Sequence, residues 1–273
     1  MSLNLTASSP KRGQRHSPSH TTGVENQNTN TPTASVNYND MKTVNGWLNI
    51  IQNWVYPPTC LLCGAPGERG LDLCGACERH LPRIGTACLH CGEPLPDGAP
   101  SPCGRCLQQP PPFDSCRAAF HYEEPIRHLI HGLKFDHRHA CARTLGELTA
   151  RHFREYAEPP DVIVPVPLHP SRYRERGFNQ SLEIARHLSR NLNLPLELHA
   201  CTRSRTTRPQ AQLSAKERAK NIRGAFRLER EIEARHIAIL DDVVTTGATV
   251  SELARTLRKT GIARIDVWAV ARA

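Results

Sequence analysis

The chain has no run of eighteen apolar residues, and no N-terminus in which a charged start gives way to an apolar core and a cleavage site. Neither a membrane span nor a secretory signal is therefore expected. No G-x-x-x-x-G-K-S/T segment occurs anywhere, which removes the commonest nucleotide-binding loop from consideration. Methionine is scarce as well: Met41 is the only one after Met1. Ordered-looking sequence begins just past it, so translation starting at Met41 is a hypothesis that intact-mass analysis of the native protein tests. Acidic residues are in the minority. The formal net charge of +9 points to an anionic ligand or partner, either phosphate-bearing metabolites or nucleic acid, and charge alone does not separate them.

What the chain does have is cysteine, and in an ordered pattern. Eight of its eleven cysteines form four C-x-x-C pairs, Cys60/Cys63, Cys74/Cys77, Cys88/Cys91 and Cys103/Cys106. The gaps between successive pairs are ten, ten and eleven residues. Without an export signal, metal is a better reading than disulfides. Each C-x-x-C presents two thiolates to one metal, two such knuckles complete a tetrahedron, and glycine follows Cys63, Cys74, Cys91 and Cys103, as tight knuckle turns prefer. Two structural Zn²⁺ sites are expected, each contributing roughly 10–16 kcal/mol of folding free energy to a segment too small for its own core. Cys60/Cys63 with Cys74/Cys77 and Cys88/Cys91 with Cys103/Cys106 is the favoured pairing, and interleaving is the alternative. Cys116, Cys141 and Cys201 are expected to be free buried thiols.

The remaining organisation follows from patterning. Residues 1–40 are rich in Ser, Thr, Asn, Gln and Pro, too polar to offset the entropy of ordering, and are expected to be a disordered tail. A short helix is expected within residues 41–58, on the apolar stripe of Trp47 to Tyr56, with Pro57 and Pro58 ending it. The zinc-binding segment spans 59–109, and Pro110 to Pro112 mark the passage to a domain over 113–273. There, strands are expected at Cys116–Tyr122, Val162–Val164, from Leu196, at Ile237–Leu240 and at Ile265–Val270. Helices are expected at Ile126–Leu133, Thr144–Tyr156 and Asn179–Leu192, and after Thr249, with Gly261 ending the last one. Lys134 and Phe135 fall between the first two. Strands alternating with helices imply an α/β domain with a mainly parallel sheet. Histidines 121, 128, 131, 137 and 139 are read as surface or packing residues.

Two loops carry the chemistry. The stretch His236 to Leu253 reads HIAILDDVVTTGATVSEL. Asp241 and Asp242 fall where the apolar strand is expected to end, followed by a small, hydroxyl-rich turn and a helix start. Backbone N–H groups of such a turn and the helix dipole converge on an anion. Acids beside a phosphate loop make sense when the ligand carries sugar hydroxyls next to its phosphate. The second loop follows Val162–Val164 and includes Val166, Pro167, Arg172, Arg174 and Arg176, whose guanidinium groups suit pyrophosphate. From Arg203 through Arg227 the chain holds eight Lys/Arg residues and one acid, Glu217. The segment TRPQAQLSAKERAKN reads as a mobile loop entering a helix at Ser214, able to close over pyrophosphate or to follow a nucleic-acid backbone.

The LDDVVTTGAT segment closely resembles the 5-phosphoribosyl-1-pyrophosphate (PRPP) loop of type I phosphoribosyltransferases. Together with the four C-x-x-C pairs, PVPLHPSRYRERGFNQS and TRPQAQLSAKERAKNIRGAF, it resembles the ComF family of competence-associated proteins, from about Trp47 to the C-terminus. The resemblance implies a double zinc ribbon ahead of a type I phosphoribosyltransferase fold, a bacterial cytoplasmic location and a link to uptake or use of DNA. Asp241 and Asp242 would then hold the ribose hydroxyls, with Val243 and Val244 leading into the turn. Thr245, Thr246, Gly247, Ala248 and Thr249 would hold the 5′-phosphate. Val166 through Arg176 would face Mg²⁺-pyrophosphate, and Arg208, Gln210 and Lys216 would belong to a flexible lid. An unidentified acceptor would displace pyrophosphate from PRPP, with the zinc module and residues 113–156 in the place of the acceptor-recognising hood. No general base stands out. A second reading keeps PRPP binding without turnover, the ribbon and basic loop engaging single-stranded DNA or a competence protein.

Overall fold

The computed structural model describes residues 57–155, 158–205 and 221–273, all within one compact unit, Asn49–Ala273. The expected tail, the Met41 start, the Trp47–Tyr56 helix and the lid with Ser214, Arg208, Gln210 and Lys216 lie outside the described residues.

Two short helices, α1 (Gly75–Arg79) and α2 (Gly104–Gln108), sit in the cysteine-rich segment. The larger part is built from β1 (Ser115–His121), α3 (Ile126–Phe135), α4 (His139–Phe153), β2 (Val162–Pro165), α5 (Pro170–Arg176), α6 (Gln180–Leu192), β3 (Cys201–Arg203), β4 (Phe226–Leu228), β5 (His236–Val244), α7 (Ala248–Arg258) and β6 (Arg264–Arg272). The main sheet has the order β1-β6-β5-β2, and all of its pairings are parallel. Helices cover both faces, so its strands are apolar on both sides. Along β5, Ala238 and Leu240 join one core with Trp268, Leu148 and Leu188. Ile237 and Ile239 join the other, with Leu253 and Leu257 of α7. Gly146 lets α4 and α6 close together, because a Cβ there would lie 2.7 Å from His187 Cβ and 2.8 Å from the Ile184 carbonyl.

Several expectations need correction. β5 does not end at Leu240: it runs through both acids to Val244, because β6 continues beside it as far as Arg272. On its other side β2 stops at Pro165, and Val166 N–H closes that ladder on the Leu240 carbonyl at 2.9 Å. The acids thus lie just beyond the end of one neighbouring strand while the other still supports them. The strand expected from Leu196 is a single parallel bridge to Ile163; Pro195 has no N–H to give, and the Glu197 carboxylate caps the N–H groups of His199 and Ala200 instead. A small antiparallel pair, β3 with β4, forms just after it. The arginine loop folds into α5, with the His169 side chain accepting from Ser171 N–H at its start and Gly177 at φ +81° ending it. Helix α4 also begins earlier than expected, and α3 takes in Lys134 and Phe135.

The cysteine-rich segment is packed onto this domain. Residues 82–89 cover the outer edge of β1, with Ile84 N–H on the Ala119 carbonyl, His121 N–H on Pro82 and Cys116 N–H on Leu89. That protects an edge that would otherwise offer unpaired backbone groups.

Candidate functional site

The acids are held in different ways although both are buried, Asp241 at 9% and Asp242 at 3% exposure. Asp241 Oδ1 accepts from Ser181 Oγ at 3.1 Å and from the Asp242 N–H at 3.0 Å. Asp242 is ion-paired to Lys134 and accepts from Gln180 Nε2 at 3.3 Å. Burial first, then the neighbouring Asp242 charge, push the Asp241 carboxyl up to about 7. Burial acts on Asp242 too, but the Lys134 ammonium outweighs it and holds this carboxyl below the usual range. One acid of the pair is thus a firm carboxylate and the other is poised near neutrality.

Helix α6 aims the groups that meet them. Asn179 caps it, Oδ1 accepting from Ser181 N–H at 3.1 Å, while Asn179 Nδ2 donates to the Val166 carbonyl at 3.0 Å. This single residue fixes the start of α6 against the turn after β2. Gln180 in turn accepts from Arg176, whose guanidinium lies 5.6 Å from the centre of the Phe135 ring.

Among the expected pyrophosphate residues, Val166 is buried and Pro167 follows it directly. The arginines divide. Arg176 is joined to the acids through Gln180, Arg172 pairs with Glu175 at 2.8 Å, and Arg174 is exposed. Arg203 on β3 belongs to the neighbourhood as well: burial lowers its guanidinium below the usual value, and the Asp241 charge acts against that shift.

After Val244 the chain turns at Thr245 and Thr246, and Gly247 takes φ +74° as the N-cap of α7. A Cβ on Gly247 would meet nothing within 4 Å, so the left-handed backbone, and not lack of room, asks for glycine. Ala248 N–H lies 3.4 Å from Thr246 Oγ1. The first N–H groups of a helix have no partner within it and face the open side of such a turn. Val243 and Val244 reach the turn as the last residues of β5, and Thr249 lies in the first turn of α7.

The eight paired cysteines fall into two quartets, Cys60, Cys63, Cys74 and Cys77, and Cys88, Cys91, Cys103 and Cys106, with the ligand atoms of each within 4.8 Å of one another. Tetrahedral zinc with Zn–S bonds of about 2.3 Å requires sulfurs about 3.8 Å apart. Cys63 and Cys74 Sγ lie 3.7 Å apart and Cys91 and Cys103 Sγ 3.8 Å. The donor set and its spacing fit Zn²⁺. The quartets repeat each other: Gly64 and Gly92 N–H return to the carbonyls of Cys60 and Cys88. In each, burial of the first cysteine is outweighed by backbone N–H donors, which lower Cys60 and Cys88 to about 6. Burial and the neighbouring thiols instead raise Cys77 and Cys106, so that the charge of a bound Zn²⁺ would be needed to make all four ligands thiolates.

The quartets are supported differently. Cys60, Leu71 and Leu73 share the main core with Leu129, Ile130 and Leu133 of α3. Asp72 pairs with Arg143, and Glu78 lies 3.3 Å from Arg151. The second quartet forms a core of its own with Leu95. Gly92 passes so close to Cys116 that a Cβ would lie 3.0 Å from its Sγ. Cys116 and Cys141 are buried thiols raised by burial, Cys116 to about 12, and burial takes Cys201 to about 11.

Sequence reasoning named the acids, the turn and the cysteines. Gln180 and Ser181 were within the quoted GFNQS motif but had no role assigned. Lys134, expected to lie between two helices, is the cation in the last turn of α3, and nothing in that helix's pattern, which also carries Arg127, singles it out. His137 and His139 pack against Phe178 at 5.7 and 5.0 Å, and His131 against Phe135 at 4.5 Å. Among the described residues, no helix is long and apolar enough to cross a membrane.

Known proteins place this architecture. Residues 51–107 match the double zinc ribbon domain family and residues 133–273 the phosphoribosyl transferase domain family. DNA utilization protein YhgH of Escherichia coli K12 is 41% identical over 222 residues, covering 79% of this chain and 97% of that protein. Competence protein F of Haemophilus influenzae is 37% identical over 209 residues, covering 74% of this chain and 90% of its own length. A solved purine phosphoribosyltransferase from Pyrococcus horikoshii covers 47% of this chain and 80% of its own at 20% identity and TM-score 0.29, a likeness too remote to build on. Ribbon and α/β domain together make the chain a member of the ComF family, a phosphoribosyltransferase-type domain preceded by a double zinc ribbon.

Proposed function

We propose that the chain binds PRPP at the end of β5 and transfers its phosphoribosyl group to an acceptor, with release of pyrophosphate. The observation that carries this reading is the buried Asp241–Asp242 pair on β5, followed after four residues by the left-handed Gly247 and a helix start. Asp242, charged at neutral pH, accepts from a ribose hydroxyl, and Asp241 beside it takes the second. The Thr245–Thr249 turn holds the 5′-phosphate through backbone N–H groups. Arg176 and Arg203 bring positive charge near the acids, where the pyrophosphate of a bound PRPP would lie. Hard carboxylate oxygens and substrate hydroxyls suit Mg²⁺, which neutralises the leaving group when bound. The acceptor's lone pair forms the bond to C1 while the C1–O bond breaks, and pyrophosphate leaves with that electron pair. The acceptor's proton passes to solvent. The chain's contribution is positioning and charge stabilisation.

The names of the relatives support a role in DNA use or competence, in which single-stranded DNA or a competence protein would meet the ribbon and the basic segment. A chain that only senses PRPP would serve there too. Calorimetric titration with PRPP and Mg²⁺ tests the site: saturable binding by the wild type, lost in Asp241→Asn/Asp242→Asn, is expected. No binding by folded, zinc-loaded wild type would overturn it. Pyrophosphate release with an acceptor panel then separates enzyme from sensor.

A further inference from the structure

The C-terminal end of β6 carries a residue that neither the acid pair nor the ribbon accounts for. Arg272 is 3% exposed, and its guanidinium joins two regions far apart in sequence. On one side, Nη1 donates to the Val244 carbonyl at 3.1 Å and also to the carbonyls of Thr245 and Ala273. On the other, Nε donates to the carbonyl of Cys91 at 3.3 Å, and Nη2 pairs with Glu93. Glu93 also approaches Arg105 of α2 at 3.5 Å, and α2 carries Cys106. One planar, permanently charged group therefore holds both the backbone that opens the phosphate turn and the backbone of a zinc-ligating cysteine.

We infer that Arg272 is a positioning residue through which the second cysteine quartet sets the conformation of the Thr245–Thr249 turn. The reasoning is geometric. The carbonyls of Val244 and Thr245 fix the directions of the peptide planes that follow, and hence where the turn's N–H groups point. Arg272 can grip them only from where Cys91 and Glu93 hold its other edge. Metal on Cys88, Cys91, Cys103 and Cys106 freezes the Cys91 knuckle, and the fork of the guanidinium carries that order across. Among the described residues the first quartet has no such link to the turn: its polar ties run to Arg138 at the start of α4 and to Arg143 and Arg151 within it. Lysine would keep the charge at 272 but cannot span both sets of carbonyls.

The test is amide hydrogen exchange on the full chain, comparing residues 245–249 with the core amides of Ile237–Leu240. In Cys106→Ser, with zinc content measured, exchange in the turn is expected to accelerate about tenfold relative to the core. Its counterpart Cys77→Ser is expected to leave that ratio unchanged. Arg272→Lys, which leaves both quartets intact, should reproduce the loosening with zinc content unchanged, so the outcome does not depend on how well Cys106→Ser folds. An unchanged ratio in Arg272→Lys, or equal loosening by both cysteine variants, would overturn the inference. A second readout rests on the proposed function. Ribose 5-phosphate should bind Arg272→Lys about tenfold more weakly than wild type, whereas pyrophosphate affinity should be unaltered. Failure of wild type to bind ribose 5-phosphate would count against the phosphate reading of the turn, and the exchange result would still decide the linkage.

Discussion

The two zinc-ribbon repeats have the same knuckles and opposite dependencies. The first contributes Cys60, Leu71 and Leu73 to the core that also buries the apolar face of α3, and α3 carries Lys134 to Asp242. The second keeps a small core of its own and meets the domain through the close approach of Gly92 to Cys116 and through hydrogen bonds, above all those of Arg272 to Cys91 and Glu93. One repeat therefore backs the side of Asp241 and Asp242 with apolar packing, and the other backs the Thr245–Thr249 turn with hydrogen bonds. Apolar packing is costly to lose but adapts in direction. Charged hydrogen bonds contribute less to global stability and fix orientation more tightly.

The largest expected effect separates the repeats by stability. Cys77→Ser should lower the free energy of unfolding by roughly 3–5 kcal/mol in a denaturant titration, since it opens a metal site embedded in the main core. Cys106→Ser should cost clearly less; equal losses would break the comparison. Next comes the cation that the first repeat supports. Lys134→Met leaves Asp242 buried without its partner, at a cost of about 3–5 kcal/mol, and should raise the Asp242 carboxyl. Stability measured at pH 5 and pH 8 shows this, the loss being greater at the higher pH, where Asp242 must be charged.

A smaller effect concerns pH in the wild type. The folded-state value of Asp241 is raised to about 7, so the native protein holds this proton more tightly than the unfolded chain, whose aspartates titrate near about 3.9. Its contribution is whole below that value and is lost as pH rises through about 7. Thermal melts of unliganded protein should therefore fall from pH 5 to pH 7.5, and Asp241→Asn should flatten that part of the profile. Gly247→Ala should cost about 1 kcal/mol, from the left-handed backbone alone. Smallest is Arg143→Ala, which removes a half-exposed partner of Asp72 and should change the melting free energy by no more than about 1 kcal/mol.

Much of this was legible in the sequence, for identifiable reasons. Four apolar residues before Asp241 mark a buried strand whatever its neighbours do, and C-x-x-C spacing encodes the knuckle directly. The length of β5 was not legible, because β6 sustains it through the acids to Val244, and that pairing is set by residues some thirty positions away. Nor was the partner of Asp242, since nothing local places the last turn of α3 beside β5. Arg272 was equally hidden: in sequence it is one more arginine, and its meaning comes from where two distant carbonyl groups meet. The antiparallel pair β3–β4 forms after the expected strand position because Pro195 and Glu197 divert the backbone just before it.

The most direct test of the central claim is a crystal structure of the zinc-loaded protein with PRPP and Mg²⁺. The ribose 2′- and 3′-hydroxyls are expected on the carboxylates of Asp241 and Asp242, and the 5′-phosphate on the N–H groups of the Thr245–Thr249 turn. PRPP bound elsewhere, or a ribose that leaves both carboxylates untouched, would contradict it.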